Sequence, residues 1–148
     1  MIEVVVEDPA WTAALADAAD LVREAAGAAT PGESGDIVIL LTDDETLRDL
    51  NARFLGKDRA TNVLAFPDAS ADRLGDIALA SGVCAREAAE QAKPLADHLR
   101  HLVVHGVLHL LGYDHVSDED AARMESRERQ LLAGMNIPDP YAEPARPR

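Results

Sequence analysis

Four short apolar runs along the chain predict β-strands. Residues 2–6 and 37–41 are rich in β-branched or continuous apolar side chains, and residues 62–66 and 75–80 have the same character. Pro67 ends the third run, because proline has no backbone N–H to donate within a sheet. The fourth run follows the third without an intervening helix, which predicts at least one antiparallel pair.

Longer segments with helical character lie between and after these runs. Thr42 followed by Glu45 has the character of a capping box at the start of a helix. Pro94 suits the first turn of another helix, and Gly112 falls where that helix is expected to end. Residues 27–35 are expected to form a loop. The predicted helices cover residues 10–26, 42–54, 83–93, 94–111 and 117–134.

The element order β-α-β-α-β-β-α-α-α predicts an α+β fold of the α/β sandwich type, with a small four-stranded mixed sheet. The other helices are expected to pack around a central helix, residues 94–111, which carries a histidine motif. With 148 residues the chain is long enough for one buried core. We expect a single domain over residues 1–137 and a Pro-rich C-terminal tail over residues 138–148.

Charge and composition limit how this chain can bind nucleic acid. The net charge is −13, so bulk electrostatics repel phosphate. Aromatic residues make up only 3% of the chain, which excludes a platform that stacks bases. Any role on RNA therefore requires a local basic patch, a metal ion or a partner that brings the RNA.

Several features favour a cytoplasmic protein without membrane contact. Cys84 is the only cysteine, which excludes an internal disulfide framework, and we expect it to be a small packed residue. The N-terminus lacks the basic and long apolar regions of a signal peptide. The most apolar window, residues 102–111, is too short to span a bilayer. The pattern does not fix the oligomeric state.

The string HGVLHLLGYDH predicts a metal site. His105 and His109 lie four residues apart and so share one helix face. Gly112 allows the chain to reverse, which brings His115 to a third position. Three imidazoles leave the fourth position of a tetrahedral zinc ion open, where the ion acts as a Lewis acid. The spacing is that of the metzincin peptidases, except that Gly106 replaces their glutamate base.

These residues give the chain a specific likeness to a known family. HLVVHGVLHLLGYDH resembles the signature of the YbeY family, as do LNARFLGKDRATNVLAFP, GDIALA and the tail segment PDPY. The resemblance covers residues 36–141. It implies a zinc-dependent, single-strand-specific endoribonuclease, a hydrolase that acts in maturation of small-subunit ribosomal RNA and in ribosome quality control. It also implies one Zn²⁺ held by His105, His109 and His115, with RNA and the small ribosomal subunit or its proteins as partners.

One position departs from the family pattern. Family members usually have an arginine where this chain has Leu55, so a contact to RNA phosphate is lost or moved. Arg53, Lys57 and Arg59 are close in sequence and are candidates to supply that charge, Arg59 as a catalytic residue. An ordinary solvated helix end and turn explains the same three residues equally well.

Other polar residues have more than one interpretation. Asp114 is a candidate proton acceptor or a residue that orients a ligand imidazole, and Asp76 is a weaker candidate acceptor. His101 is either a fourth ligand or, preferably, a supporting residue. Thr61 and Asn62 either bind substrate or form a turn. Alternating charges on the last helix are typical of a solvated face: Arg123, Arg127, Arg129, Glu119, Glu125 and Glu128.

Two other functions stay open at this point. A zinc peptidase or amidase would fit the histidine spacing, although Gly106 leaves it without the usual base. A non-enzymatic ribosome-assembly factor with a structural zinc would fit the acidic composition, which suits binding to basic ribosomal proteins.

Overall fold

The strands form one sheet with parallel and antiparallel pairs. The structure is a computed structural model that describes residues 1–32, 35–68, 70 and 72–142. Its strands are β1 (Ile2–Val6), β2 (Asp36–Thr42), β3 (Val63–Pro67) and β4 (Arg73–Ala80). Their order across the sheet is β1-β2-β4-β3, in which β2 pairs in parallel with both β1 and β4. β3 and β4 are antiparallel, so the predicted mixed sheet and antiparallel pair are confirmed.

Helices cover both faces of this sheet. The described residues contain α1 (Ala10–Ala14), α2 (Ala18–Ala29), α3 (Asp44–Leu55), α4 (Ser81–Glu90), α5 (Leu95–Leu110) and α6 (Asp118–Gly134). The larger core joins α2 and α5 to one face of the sheet, where Ile39 and Ile77 are almost fully buried. A smaller core lies on the other face, where Leu47 of α3 packs against Leu64. The α+β sandwich prediction is therefore confirmed.

α5 is the central helix, as the sequence predicts. It contacts α2, α4 and α6 as well as β3 and β4. Most of its residues are buried, including Val103, Val104 and Val107, while His101, His105 and His109 lie along a less buried stripe. The burial of this helix on several sides holds its backbone in place, and that backbone carries His105 and His109.

The prediction of one long first helix is wrong. The chain leaves helical geometry at Leu15, whose φ of −137° and ψ of 99° end α1, and a separate α2 follows. The indole of Trp11 is buried and donates a hydrogen bond to the Thr42 carbonyl at 3.0 Å, which anchors α1 to the end of β2. α2 also continues beyond Gly27 to Ala29, into the predicted loop, and its last residue is buried against the domain.

The start of α3 differs by one residue from the predicted capping box. Thr42 is the last residue of β2, and Asp43 caps the helix instead by accepting a hydrogen bond from the Thr46 amide at 2.8 Å. This bond lowers the pKa of Asp43. α6 begins as predicted, with Ser117 as the cap that accepts from the Asp120 amide.

The chain beyond α6 folds back onto the domain. Asn136 has a positive φ of 61°, and the next amide, that of Ile137, donates to the Leu132 carbonyl at 2.9 Å. Ile137 is only 6% exposed within the larger core. Residues 138–142 lie against α6, and residues 143–148 of the expected tail lie outside the described part of the chain. None of the helices in the described ranges combines the length and apolar character needed to cross a membrane.

Candidate metal centre

Three histidines converge at the end of α5. His105 and His109 project from the same face of the helix, and their Nε2 atoms are 3.1 Å apart. After the helix, Gly112 adopts a φ of 98°, and this left-handed conformation turns the chain so that His115 approaches the pair. One ring nitrogen of each histidine lies within 4.8 Å of the others. The structure thus brings together the residues that the sequence predicts as metal ligands.

A buried carboxylate lies behind this cluster. The Oε1 atom of Glu128 on α6 is 2.8 Å from Nδ1 of His105. Glu128 Oε2 is 2.7 Å from Nε2 of His101 and accepts a hydrogen bond from the Tyr141 hydroxyl at 2.6 Å. Burial opposes ionisation of Glu128, but its hydrogen bonds with His101, His105 and Tyr141 lower its pKa to about 2. The carboxylate is therefore ionised at neutral pH.

The surroundings of His109 favour the neutral imidazole that metal binding requires. Burial lowers the pKa of His109, and the neighbouring rings of His105 and His115 lower it further. A neutral imidazole has a free nitrogen lone pair for a metal ion. Because the carboxylate of Glu128 faces Nδ1 of His105, the hydrogen of that ring belongs on Nδ1 and the lone pair on Nε2, beside His109. The donor set therefore fits a divalent metal ion.

Gly106 lets the metal-site helix approach the sheet. A Cβ atom at this position would lie 3.1 Å from Cδ1 and 3.2 Å from Cγ2 of Ile77 on β4. Any side chain here would therefore press against a nearly fully buried residue. Gly106 thus allows close packing of α5 on β4 and supplies no carboxylate to act as the base of a metzincin, which opposes a peptidase mechanism of that kind.

The histidines lie at the floor of an open groove of about 600 Å³. Lys57 and Arg59 line one wall, and both are exposed. Asn51 holds their loop, because its side-chain amide donates to the Arg59 carbonyl and its own carbonyl accepts from the Lys57 amide. Asp114 lines the groove on the histidine side and is the only carboxylate there among the described residues.

The two basic side chains of this wall are unpaired in the described residues, whereas two neighbouring arginines are held in ion pairs. Arg48 pairs with Asp58 at 2.8 Å, and Arg53 pairs with Asp49 at 3.2 Å outside the groove. Within the described part of the chain, Lys57 and Arg59 form no ion pair and remain available to a ligand. The groove is thus locally basic on a protein whose net charge is −13. Leu55 also lines it and is 54% exposed, so the position that departs from the family pattern faces the same space.

Asn62 lines the groove and is fixed from behind. Its side-chain amide donates to Glu87 at 3.0 Å, and its Oδ1 accepts from the Val63 amide at 2.7 Å. Glu87 in turn is 2.9 Å from Nε2 of the buried His98 on α5. This chain of contacts links the groove wall to the central helix. Thr61 lines the groove as well.

The remaining candidates take other positions. His101 is turned to Glu128 and is not part of the three-histidine group in the described residues, so it supports rather than extends the cluster. Asp76 does not line the groove and pairs with Arg73. The fully buried Cys84 packs in the larger core, and burial raises the pKa of its thiol.

The assignment of Glu128 to a solvated face is wrong. Its side chain has no exposed surface, and it lies on α6 between two buried residues at four-residue spacing, Met124 and Leu132. That periodicity is a signal in the sequence for the buried stripe of the helix. The neighbouring arginines and glutamates conceal the signal, because Glu128 looks in the sequence like one more member of a charged, solvated face.

Comparison with known proteins adds to these observations. A family model described as Endoribonuclease YbeY matches residues 5–136. The chain is 46% identical to an endoribonuclease YbeY of Rhodopseudomonas palustris, over 95% of this chain and 80% of that protein. It is 48% identical to the one from Maricaulis maris, over 95% of this chain and 91% of that protein. A solution structure of a Thermotoga maritima protein shares the fold, with a TM-score of 0.58 and 24% identity over 97% and 100% of the two chains.

Proposed function

This chain belongs to the YbeY family of endoribonucleases, and we propose that it is a zinc-dependent endoribonuclease that cuts single-stranded ribosomal RNA. The observation that carries the proposal is the convergence of three imidazoles at the floor of a groove with free basic side chains. His105, His109 and His115 would hold the ion. A zinc ion so bound supplies a Lewis acid for a phosphate oxygen and for the attacking water.

The other residues of the groove have separate tasks. Lys57 and Arg59 contact RNA phosphates, which explains how a chain of net charge −13 binds a polyanion. Asp114 accepts a proton during the reaction, since it is the one carboxylate that lines the groove among the described residues. Asn62 holds the groove wall in place, because its side-chain amide is hydrogen-bonded to Glu87 and to the Val63 amide. Because aromatic side chains are scarce, the protein binds the sugar-phosphate backbone of the RNA rather than stacking on its bases.

In the cell we propose a role in maturation of small-subunit ribosomal RNA and in ribosome quality control. The protein acts in the cytoplasm with the small subunit or its proteins as partners. The strongly acidic composition supports this proposal, because it favours contact with basic ribosomal proteins that bring the RNA to the groove.

A cleavage assay tests the activity. Purified protein is incubated with a single-stranded fragment of small-subunit ribosomal RNA and with the same sequence as a duplex, each with zinc or with a chelator. We expect cuts only in the single strand and only with zinc. The His109→Ala variant should cut neither. If this variant cleaves RNA as fast as the wild type, the activity comes from a contaminant and the proposal fails.

A non-enzymatic assembly factor with a structural zinc is the second candidate. It is favoured by the exposed Leu55 at the groove, where an arginine usually stands in the family. Complementation separates the two functions. In cells that lack the protein, Asp114→Asn, which keeps all three histidines, should fail to restore ribosomal RNA processing if the protein is a nuclease, whereas restored processing would favour the assembly factor.

A further inference from the structure

Glu128 uses both carboxylate oxygens in hydrogen bonds while it is fully buried. Oε1 faces His105, and Oε2 is shared by His101 and Tyr141 at 2.7 and 2.6 Å. A buried carboxylate is costly unless its hydrogen bonds are satisfied. Here the partners come from one helix, α5, and from the segment after α6. This arrangement fixes the carboxylate in one orientation, and only one of its contacts is a metal-site histidine.

Tyr141 reaches this carboxylate from a separately anchored segment. Asp139 pairs with Arg129 on α6 at 3.1 Å, and the Arg129 guanidinium lies over the Tyr141 ring, 5.4 Å from its centre. The Tyr141 ring also meets His101 edge to face, with centres 5.7 Å apart. Burial and the neighbouring Glu128 raise the pKa of Tyr141, so its hydroxyl keeps its proton and acts as the donor.

We propose that Tyr141 and Glu128 are positioning residues for the metal centre. The Tyr141 hydroxyl orients the carboxylate of Glu128, and this carboxylate holds His105 with hydrogen on Nδ1 and the Nε2 lone pair toward His109 and His115. Residues 138–142 therefore belong functionally to the metal site, although none of them is in the histidine group. The inference rests on the proposed metal-dependent function and names the parts that prepare the site.

Zinc affinity is the first test. The zinc dissociation constant of the full chain is measured by competition with a chromogenic chelator for wild type, Glu128→Met, Glu128→Gln and Tyr141→Phe. Loss of a partner behind a ligand weakens metal binding by about 10- to 100-fold. We expect Glu128→Met to weaken zinc binding by the upper end of this range and Glu128→Gln to weaken it less. Tyr141→Phe should weaken it by about tenfold or less.

Glu125→Gln is the matched control. Glu125 lies on the same helix and pairs with Arg129 at 3.7 Å, so the variant removes one negative charge close to the site without touching His105. We expect its zinc affinity to equal that of the wild type. If Glu125→Gln weakens zinc as much as Glu128→Gln does, the effect is general electrostatics and the positioning role is overturned.

The tautomer of His105 is the second test, and it needs no metal. Long-range ¹H–¹⁵N NMR of the metal-free protein should show hydrogen on Nδ1 in the wild type and a mixture of tautomers in Glu128→Met. If Glu128→Met does not fold, Tyr141→Phe decides. Unchanged zinc affinity together with an unchanged spectrum in that variant overturns the inference. A wild type that binds no zinc but shows the Nδ1–H tautomer instead overturns the proposed function.

Discussion

His105 and His115 belong to the same cluster but have opposite surroundings. His105 projects from a helix packed on several sides, and a buried carboxylate holds its far nitrogen. His115 is exposed and follows a glycine reversal, where the side chain of its neighbour Asp114 accepts a hydrogen bond from the Val116 amide at 3.2 Å. The helical side is preorganised by the core, and the loop side is free to adjust. A metal centre of this kind combines a rigid half with an adaptable half.

The largest effect should come from removing either histidine, and stability distinguishes the two. His105→Ala and His115→Ala should both abolish zinc binding and RNA cleavage, because each removes a proposed ligand. Only His105→Ala should destabilise the metal-free protein, by about 2 kcal/mol, since it takes a donor from the buried Glu128. Urea unfolding of both variants with a chelator present measures this difference. Equal free energies of unfolding would contradict the distinction between the two sides.

Lowering the pH should reduce the stability of the fold through Glu128, on the helical side of the site. Glu128 has a pKa of about 2 in the folded protein, against an ordinary 4.5. A depressed acid pKa stabilises the fold above the ordinary value, and this stability is lost as the pH falls from about 4.5 toward 2, on the order of 3 kcal/mol in all. Urea unfolding of the metal-free protein across this range measures the loss. Glu128→Gln should lack this part of the pH dependence; an unchanged slope in that variant would refute the assignment.

Packing beneath the rigid half can be tested at Gly106. Gly106→Ala should destabilise the protein by about 1–3 kcal/mol, because the added methyl group presses on Ile77 at 3.1 Å. Gly27→Ala is the matched control, since this helical glycine has no neighbour within 4 Å of an added Cβ and alanine favours a helix. Thermal unfolding should therefore rank Gly106→Ala below wild type and Gly27→Ala at or above it. The opposite order would show that close packing of Gly106 on Ile77 does not limit the residue at this position.

The smallest effects on stability are expected in the open groove. Lys57→Ala and Arg59→Ala should weaken binding of single-stranded RNA and reduce the slope of log affinity against log salt by about 0.7 each. Zinc affinity and unfolding should not change, because both side chains are exposed and unpaired in the described residues. Arg23→Ala on α2 is the control, as its exposed side chain lies in an ion pair away from the groove. An equal loss in the control would mean that no specific groove binds the RNA.

The sequence predicts those parts of the site that depend on local geometry. His105, His109, Gly112 and His115 lie within eleven residues, so helix periodicity and one turn suffice to bring them together. The strands and the central helix follow equally well from apolar runs. For Lys57 and Arg59 the sequence allows two interpretations, a phosphate contact or a solvated turn. Only the fold shows that both residues lie on the groove wall.

The rest depends on packing between distant segments. Glu128 is 23 residues from His105, and its contact exists because α6 packs on α5. The break at Leu15 is hidden in an alanine-rich stretch, since alanine is compatible with a helix on either side of it. It becomes necessary only once Trp11 is anchored to the end of β2. Such features follow from tertiary contacts, which override local preference.

The contact between Gly106 and Ile77 also bears on how this scaffold can change through mutation. A single substitution to glutamate at residue 106 would complete the peptidase-like motif in the sequence, yet its Cβ would lie 3.1 Å from the Ile77 side chain on β4. The exchange would therefore come with a packing cost that a smaller side chain at residue 77 would relieve. The histidine spacing alone does not measure how far this scaffold lies from a peptidase.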